Sequence, residues 1–226
     1  MPCEVWSLGR VPYAEALALQ ERLVAERAAG APDRLLLLEH PPVFTLGSAA
    51  TAENVLWDEA ERARRKIELV HIDRGGDVTY HGPGQLVAYP ILQLLRMPGQ
   101  MHANVVGYVR ALERALIAML ASYGVEAGTI RGLTGVWVQT PAGEAKIAAI
   151  GVRVNVKAIT KHGSALNLNT DLTDFAGIVP CGIQDKGVTR LADLLGGPVD
   201  EAEAYYRFAE SFAAEFEREL VWVEGS

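Results

Sequence analysis

Between positions 74 and 85 the chain reads RGGDVTYHGPGQ, with four glycines, a proline and a histidine in twelve residues. Glycine loses more backbone entropy on folding than any other residue, so such a density is carried where backbone turns sharply or comes close to something else. The flanking residues, 68–73 and 86–92, read as strands. Two structures fit these letters: a tight hairpin with nothing bound, or a ligand-binding loop in which His81 stands as an acid or base. The remainder of the chain decides between them.

The 226 residues, half of them hydrophobic and 22% charged, supply enough apolar surface for one sizeable core. No apolar run reaches the roughly 18–20 residues that span a bilayer. The start, MPCEVWSLGR, has neither a basic n-region nor a long apolar h-region, so the expected location is the cytoplasm, away from membranes. A net charge of −7 opposes general nucleic-acid binding, which needs a basic footprint for phosphates. The basic cluster Arg62, Arg64, Arg65 and Lys66 follows acidic Asp58, Glu59 and Glu61 and reads as a solvated helix face, with charge suited to steering an acidic partner. Cys3 and Cys181 are far apart and lack CxxC spacing, against a disulfide framework or a cysteine zinc site.

Periodicity predicts amphipathic helices over 13–29, 101–123 and 198–216, a short charged helix over 58–65, and helical turns at 172–175 and 191–195. Strands are predicted at 5–8, 34–40, 43–46, 68–73, 86–92, 164–168 and 221–223, with a hairpin pairing 134–140 and 144–156 around Pro141, Ala142 and Gly143. Pro90 suits an edge strand or a strand end. The strands fall in hairpin-like groups more than in βαβ alternation. The fold class expected is α/β in the α+β sense: a single domain, 1–226, with a mixed or antiparallel sheet and packed helices.

Several familiar motifs are absent. HGPG lacks the third glycine and following helix of a dinucleotide fingerprint, and after Gly182 and Gly187 come Val188 and Thr189 where a P-loop needs Lys and Ser or Thr. Gly163-Ser164 lacks the frame of a nucleophile elbow. The five histidines form no HxxxH pair, so no metal is expected.

Three places remain for chemistry. Cys181, between Pro180 and Gly182, reads as a loop cysteine; a small buried hydrophobe and a nucleophile both fit it, and a nucleophile would need a neighbouring cation or base. Lys146, in GEAKIAAIGV, stands at the mouth of an apolar strand and is expected to be partly buried, against the ordinary case of a solvated lysine. His162, Gly163 and Ser164 read as a polar loop before a strand, whose amides either face a carbonyl oxygen or only turn the chain.

The blocks EHPPVFTLG, RGGDVTYHGPGQLVAYPI, KIAAIGVRV, HGSALN and PCGI, in that order over about residues 35–195, resemble the bacterial octanoyltransferases of protein lipoylation. The resemblance implies the fold of biotin- and lipoate-protein ligase catalytic domains. It implies transfer of an octanoyl group from octanoyl-acyl carrier protein to a lysine of lipoyl domains or of the glycine-cleavage H protein, through a cysteine thioester. Matched residue by residue, Cys181 is the acyl-accepting cysteine and Lys146 the lysine that lowers the pKa of its thiol. Arg74, Gly75, Gly76, Asp77, Val78, Thr79, Tyr80 and His81 match a first substrate-binding segment. Ala149, Ile150 and Gly151 match a second, and His162, Gly163 and Ser164 a third. His81 then shapes the pocket or hydrogen-bonds, and the glycine-rich stretch becomes a wall beside an alkyl chain.

The exchange of one thioester for another is close to isoenergetic and amide formation is downhill, so no nucleotide, cofactor or metal is expected. The chain is expected to act as a monomer without nucleic acid. Burial of an eight-carbon chain is worth about 5 kcal/mol at roughly 0.8 kcal/mol per methylene. An ATP-dependent lipoate-protein ligase on the same fold and a non-catalytic acyl-binding relative are the competing readings; Cys181 together with Lys146 counts against the second.

Overall fold

Strands that are apolar on both faces need cover on both sides, and the run Leu35-Leu36-Leu37-Leu38 is fully buried. The computed structural model describes residues 1–95, 103–179 and 186–223. In chain order these form β1 (Pro2–Arg10), α1 (Tyr13–Ala28), β2 (Asp33–Glu39), β3 (Val43–Leu46), α2 (Glu59–Arg65), β4 (Glu68–His71), β5 (Val78–His81) and β6 (Gln85–Ile91). There follow α3 (Val105–Ala121), β7 (Gly128–Ile130), β8 (Leu133–Thr140), β9 (Gly143–Val154), β10 (Thr160–Asn167), β11 (Gly187–Val188), α4 (Leu191–Leu195), α5 (Glu201–Phe216) and β12 (Glu219–Val223).

The main sheet runs β12-β1-β2-β6-β10-β9-β8-β7, with β11 lying along β9. Its β12, β1 and β2 are parallel and the ladder from β2 to β7 is antiparallel, the mixed sheet that the sequence predicts. Alternation in β2 sends Leu35 and Leu37 to one face, with Leu112 and Leu116 of α3 and Phe208 and Phe212 of α5. Leu36 and Leu38 go to the other face, with Ala16 and Leu23 of α1. The sheet therefore sits between two helical layers. No helix among the described residues is long and apolar enough to cross a membrane.

A second sheet, β4-β3-β5, carries its own core of Phe44, Val78 and Tyr80 against Trp57, Phe175 and Ile178. This corrects the hairpin alternative for the glycine-rich stretch. β5 pairs with β3 in the small sheet and β6 with β2 and β10 in the main one, so Gly82, Pro83 and Gly84 cross between sheets. Gly84 has φ +78°, donates its N–H to Glu39 Oε1 at 2.7 Å, and its carbonyl accepts from the amides of Leu168 and Asn169 and the hydroxyl of Thr170.

Pro90 lies in a central strand, not at an edge. It is nevertheless near that strand's end: the pairing of β6 with β10 runs from Gln85 to Ala88, so the missing N–H falls beyond it. Residues 162–164 are a second correction. They lie inside β10, buried, and are not a loop.

Candidate active site

The three segments expected to bind substrate meet at one cavity. Arg74, Gly76, Thr79 and His81 line it from the glycine-rich side, Ala149, Ile150 and Gly151 from β9, and His162, Gly163 and Ser164 from β10. Alternation explains which residues of β5 take part: Thr79 and His81 face the cavity, while Val78 and Tyr80 face the small-sheet core. Asp77 and Gly75 are structural in placement. Asp77 accepts from the Val78 amide at 2.7 Å and from Asn54 Nδ2, and the Gly75 amide donates to Val152 O at 3.0 Å, stitching the loop to β9. Arg74 is buried and donates through Nη2 to Thr45 O at 2.6 Å and Thr45 Oγ1 at 3.0 Å. Gly151 is held to its residue type by this arginine: a β-carbon there would stand 2.8 Å from Arg74 Cδ.

The wall is polar but largely uncharged. Burial, with His40 nearby, pushes His81 down to about 3. Its Nδ1 is 2.7 Å from Gln85 Oε1, whose amide nitrogen donates in turn to Asn167 Oδ1, so Nδ1 carries the proton and donates. Burial pushes His40 down to about 4; it donates from Nδ1 to Val11 O at 2.7 Å and accepts at Nε2 from the Tyr89 hydroxyl at 2.8 Å. Burial also lowers His162, which donates from Nε2 to Asp73 Oδ1 at 2.9 Å. Although burial opposes it, hydrogen bonds from His162 and Lys161 hold the Asp73 carboxyl down at about 2. The His162 amide, one of those considered for a carbonyl oxygen, donates to Gln20 Oε1 at 2.8 Å and is spent. Ser164 Oγ and His162 Nδ1 are buried on the cavity wall without a hydrogen-bond partner among the described residues, open to a bound group or a water.

A second, smaller cavity shares Thr79, Ala149 and Ala165 with the first. Lys146 lines it, only 6% exposed, as expected for a lysine at the mouth of an apolar strand. Its Nζ is 4.8 Å from the centroid of the Trp137 ring. Val188 of β11 pairs with Lys146, and the Thr189 amide donates to Lys146 O at 3.0 Å. Cys181 lies outside the described residues. The described chain on either side of it, Phe175 upstream and Val188 downstream, lines this second cavity. The other cysteine, Cys3, is free and fully buried, and burial followed by Asp33 pushes its thiol up to about 12, an inert residue.

Residues 12–213 match the model of the lipoyl protein ligase A/B catalytic domain. An octanoyltransferase of Chloroflexus aggregans is 48% identical over 215 residues, covering 94% of each chain. The chain belongs to the octanoyltransferase family. It is accordingly an acyltransferase of octanoyl transfer in protein lipoylation. The fold is shared more widely than the sequence. A bipartite lipoate protein ligase of Thermoplasma acidophilum matches all of this chain and 88% of its own with a TM-score of 0.77 at 18% identity. A biotin protein ligase of Aquifex aeolicus matches 96% of this chain and 70% of its own with a TM-score of 0.52 at 14% identity.

Three cavity residues of this octanoyltransferase escape sequence reasoning: Tyr13, Tyr89 and Ala165. Tyr89 follows a run of apolar letters and Ala165 is an apolar letter within one, and nothing distinguishes them from core. Tyr13 opens a helix, where periodicity speaks of packing and not of a cavity.

Proposed function

We propose that the chain, as one catalytic domain over 1–226, moves an octanoyl group from octanoyl-acyl carrier protein to a lysine of lipoyl domains and of the glycine-cleavage H protein. Cys181 is the acyl acceptor and Lys146 its base. The thiol gives its proton to Lys146 and the thiolate attacks the donor thioester carbonyl. As the tetrahedral adduct collapses, the carrier thiolate leaves and takes that proton from the Lys146 ammonium. The acceptor lysine amine then attacks the enzyme thioester, its proton passing to Lys146 and on to the departing Cys181 sulfur. No nucleotide, cofactor or metal enters these steps. The enzyme works as a monomer in the cytoplasm, and neither nucleic acid nor membrane takes part.

One observation carries this reading: Lys146 lines a cavity that shares a wall with the larger one, and Phe175 and Val188, in the described chain before and after Cys181, line that same cavity. The larger cavity suits an acyl chain because its histidines are held neutral. The residues 74–81, 149–151 and 162–164 serve as its substrate-binding walls, Gly75, Asp77, Val78 and Tyr80 from behind. The test is intact-protein mass after incubation with octanoyl-carrier protein, without ATP. Wild type is expected to gain one octanoyl group and to pass it to a lipoyl domain. Cys181→Ser is expected to gain none, and Lys146→Ala to acylate at least about 100-fold more slowly, the range of general-base loss. Transfer that requires ATP, or full activity in either variant, defeats the proposal.

A further inference from the structure

Helix α3 faces the main sheet with Leu112, Ala115, Leu116 and Met119, and beside this apolar stripe stands a carboxylate, Glu113, 1% exposed. A carboxylate so placed is costly unless its oxygens are occupied. Glu113 Oε2 accepts from Arg110 Nη1 at 2.5 Å, and Oε1 accepts from the backbone N–H of Gly135 in β8 at 3.1 Å.

Gly135 adjoins the place where β8 and β9 lose register. Val136 stands opposite Ala148 and Trp137 opposite Lys146, so Ile147 is an extra residue on β9. Unbroken alternation would set Lys146 on the same side as Ala148, which packs in the core beneath α3. The bulge resets the alternation: Ile147 enters that core and Lys146 lines the second cavity. Gly135 has φ +121°, and a β-carbon there would stand 2.6 Å from Ala148 O and 3.4 Å from Lys146 Cε. The lysine stem thus lies against the glycine whose amide Glu113 holds.

We infer that Glu113 is a positioning residue for Lys146: its carboxylate fixes the Gly135 amide and with it the bulge that turns the lysine toward the second cavity. This rests on Lys146 being the base proposed above. A carboxylate needed only for packing would lower stability without touching the chemical step. A positioning carboxylate acts on kcat, and its acceptor oxygen is what matters.

The experiment compares Glu113→Met, which removes the acceptor at similar volume, with Glu113→Gln, which keeps an acceptor for the Gly135 amide. Arg110 is exposed enough to swing away from the new amide. Transfer from octanoyl-carrier protein is measured alongside Tm. Glu113→Met is expected to lose about tenfold or more in kcat with donor KM within about twofold, and Glu113→Gln to stay within about threefold of wild type. A folded Glu113→Met with wild-type kcat overturns the inference, as does equal loss in both variants. If Glu113→Met does not fold, Glu113→Asp decides: it keeps the charge for Arg110 but draws the oxygen back from Gly135, and wild-type kcat in it overturns the assignment. Full activity in Lys146→Ala would sink the underlying reading and is a separate result.

Discussion

His40 and His81 are held neutral in the fold, at about 4 and about 3, against an ordinary value of 6.5. Their folded values are depressed, so the unfolded chain binds protons first as the pH falls. The stability they contribute is complete above pH 6.5 and is lost progressively down to the folded values. Between pH 6.5 and 5 each ring removes about 2 kcal/mol, at about 1.4 kcal/mol per pH unit. Urea unfolding at pH 7 and pH 5 is expected to show this fall, and His81→Gln to remove about 2 kcal/mol of it, with His40 and the burial-lowered His162 keeping the rest. The Asp73 carboxyl, held at about 2 against 3.8, contributes only at lower pH and does not confuse the comparison. A pH 7 to 5 difference unchanged in His81→Gln would mean that His81 is not the buried neutral ring described here.

At the scale of elements, β10 decides how closely the sheet can approach the cavity. A β-carbon on Gly163 would lie 2.1 Å from Ala88 O and 2.8 Å from Pro90 Cδ, so β6 and β10 cannot both keep their places. Gly163→Ala is expected to cost about 1–3 kcal/mol, the range of overpacking. It should lower Tm by several degrees and slow acyl loading as the cavity wall shifts; an alanine variant with unchanged Tm would show that the strands part freely. Strand β10 is also where sequence reading stopped short. Residues 164–168 read as a strand from the sequence, but His162 and Gly163 look like loop letters. They are strand because Gln20, reaching across from α1, satisfies the amide of a histidine at φ +60°. A partner 142 positions away leaves no local trace. The same holds for Glu113 and Gly135. By contrast α1, α3 and α5 follow from helical spacing, β2 from its leucine run, and Lys146 from a charge set against apolar strand residues. The short β7 and β11 are held by neighbours and not by their own letters.

At the scale of the molecule, one buried carboxylate joins distant parts of the chain. Asp33, 2% exposed, accepts from Arg27 Nε at 2.6 Å, from Arg218 Nε at 3.0 Å and from the Gln93 amide at 3.1 Å. It sits where β2 begins and where the chain turns from α5 into β12, so it fixes the parallel edge of the main sheet. Asp33→Asn leaves two largely buried guanidinium groups without their counter-charge and is expected to cost about 3–5 kcal/mol, read from urea unfolding. A loss below about 1 kcal/mol would place the tie among ordinary surface pairs.

The crossing at Gly82-Pro83-Gly84 joins the small sheet to the main one, and its last residue is held on one side by Glu39 and on the other by Leu168, Asn169 and Thr170. A three-residue connection so fastened leaves the two sheets little freedom to swing apart. The disorder that an unfastened wall would surrender on meeting an acyl chain is surrendered once, when the protein folds. Each turnover then begins with the cavity already in shape, and, on the acyl-binding role proposed above, the free energy of chain burial goes to holding the substrate and not to assembling the site.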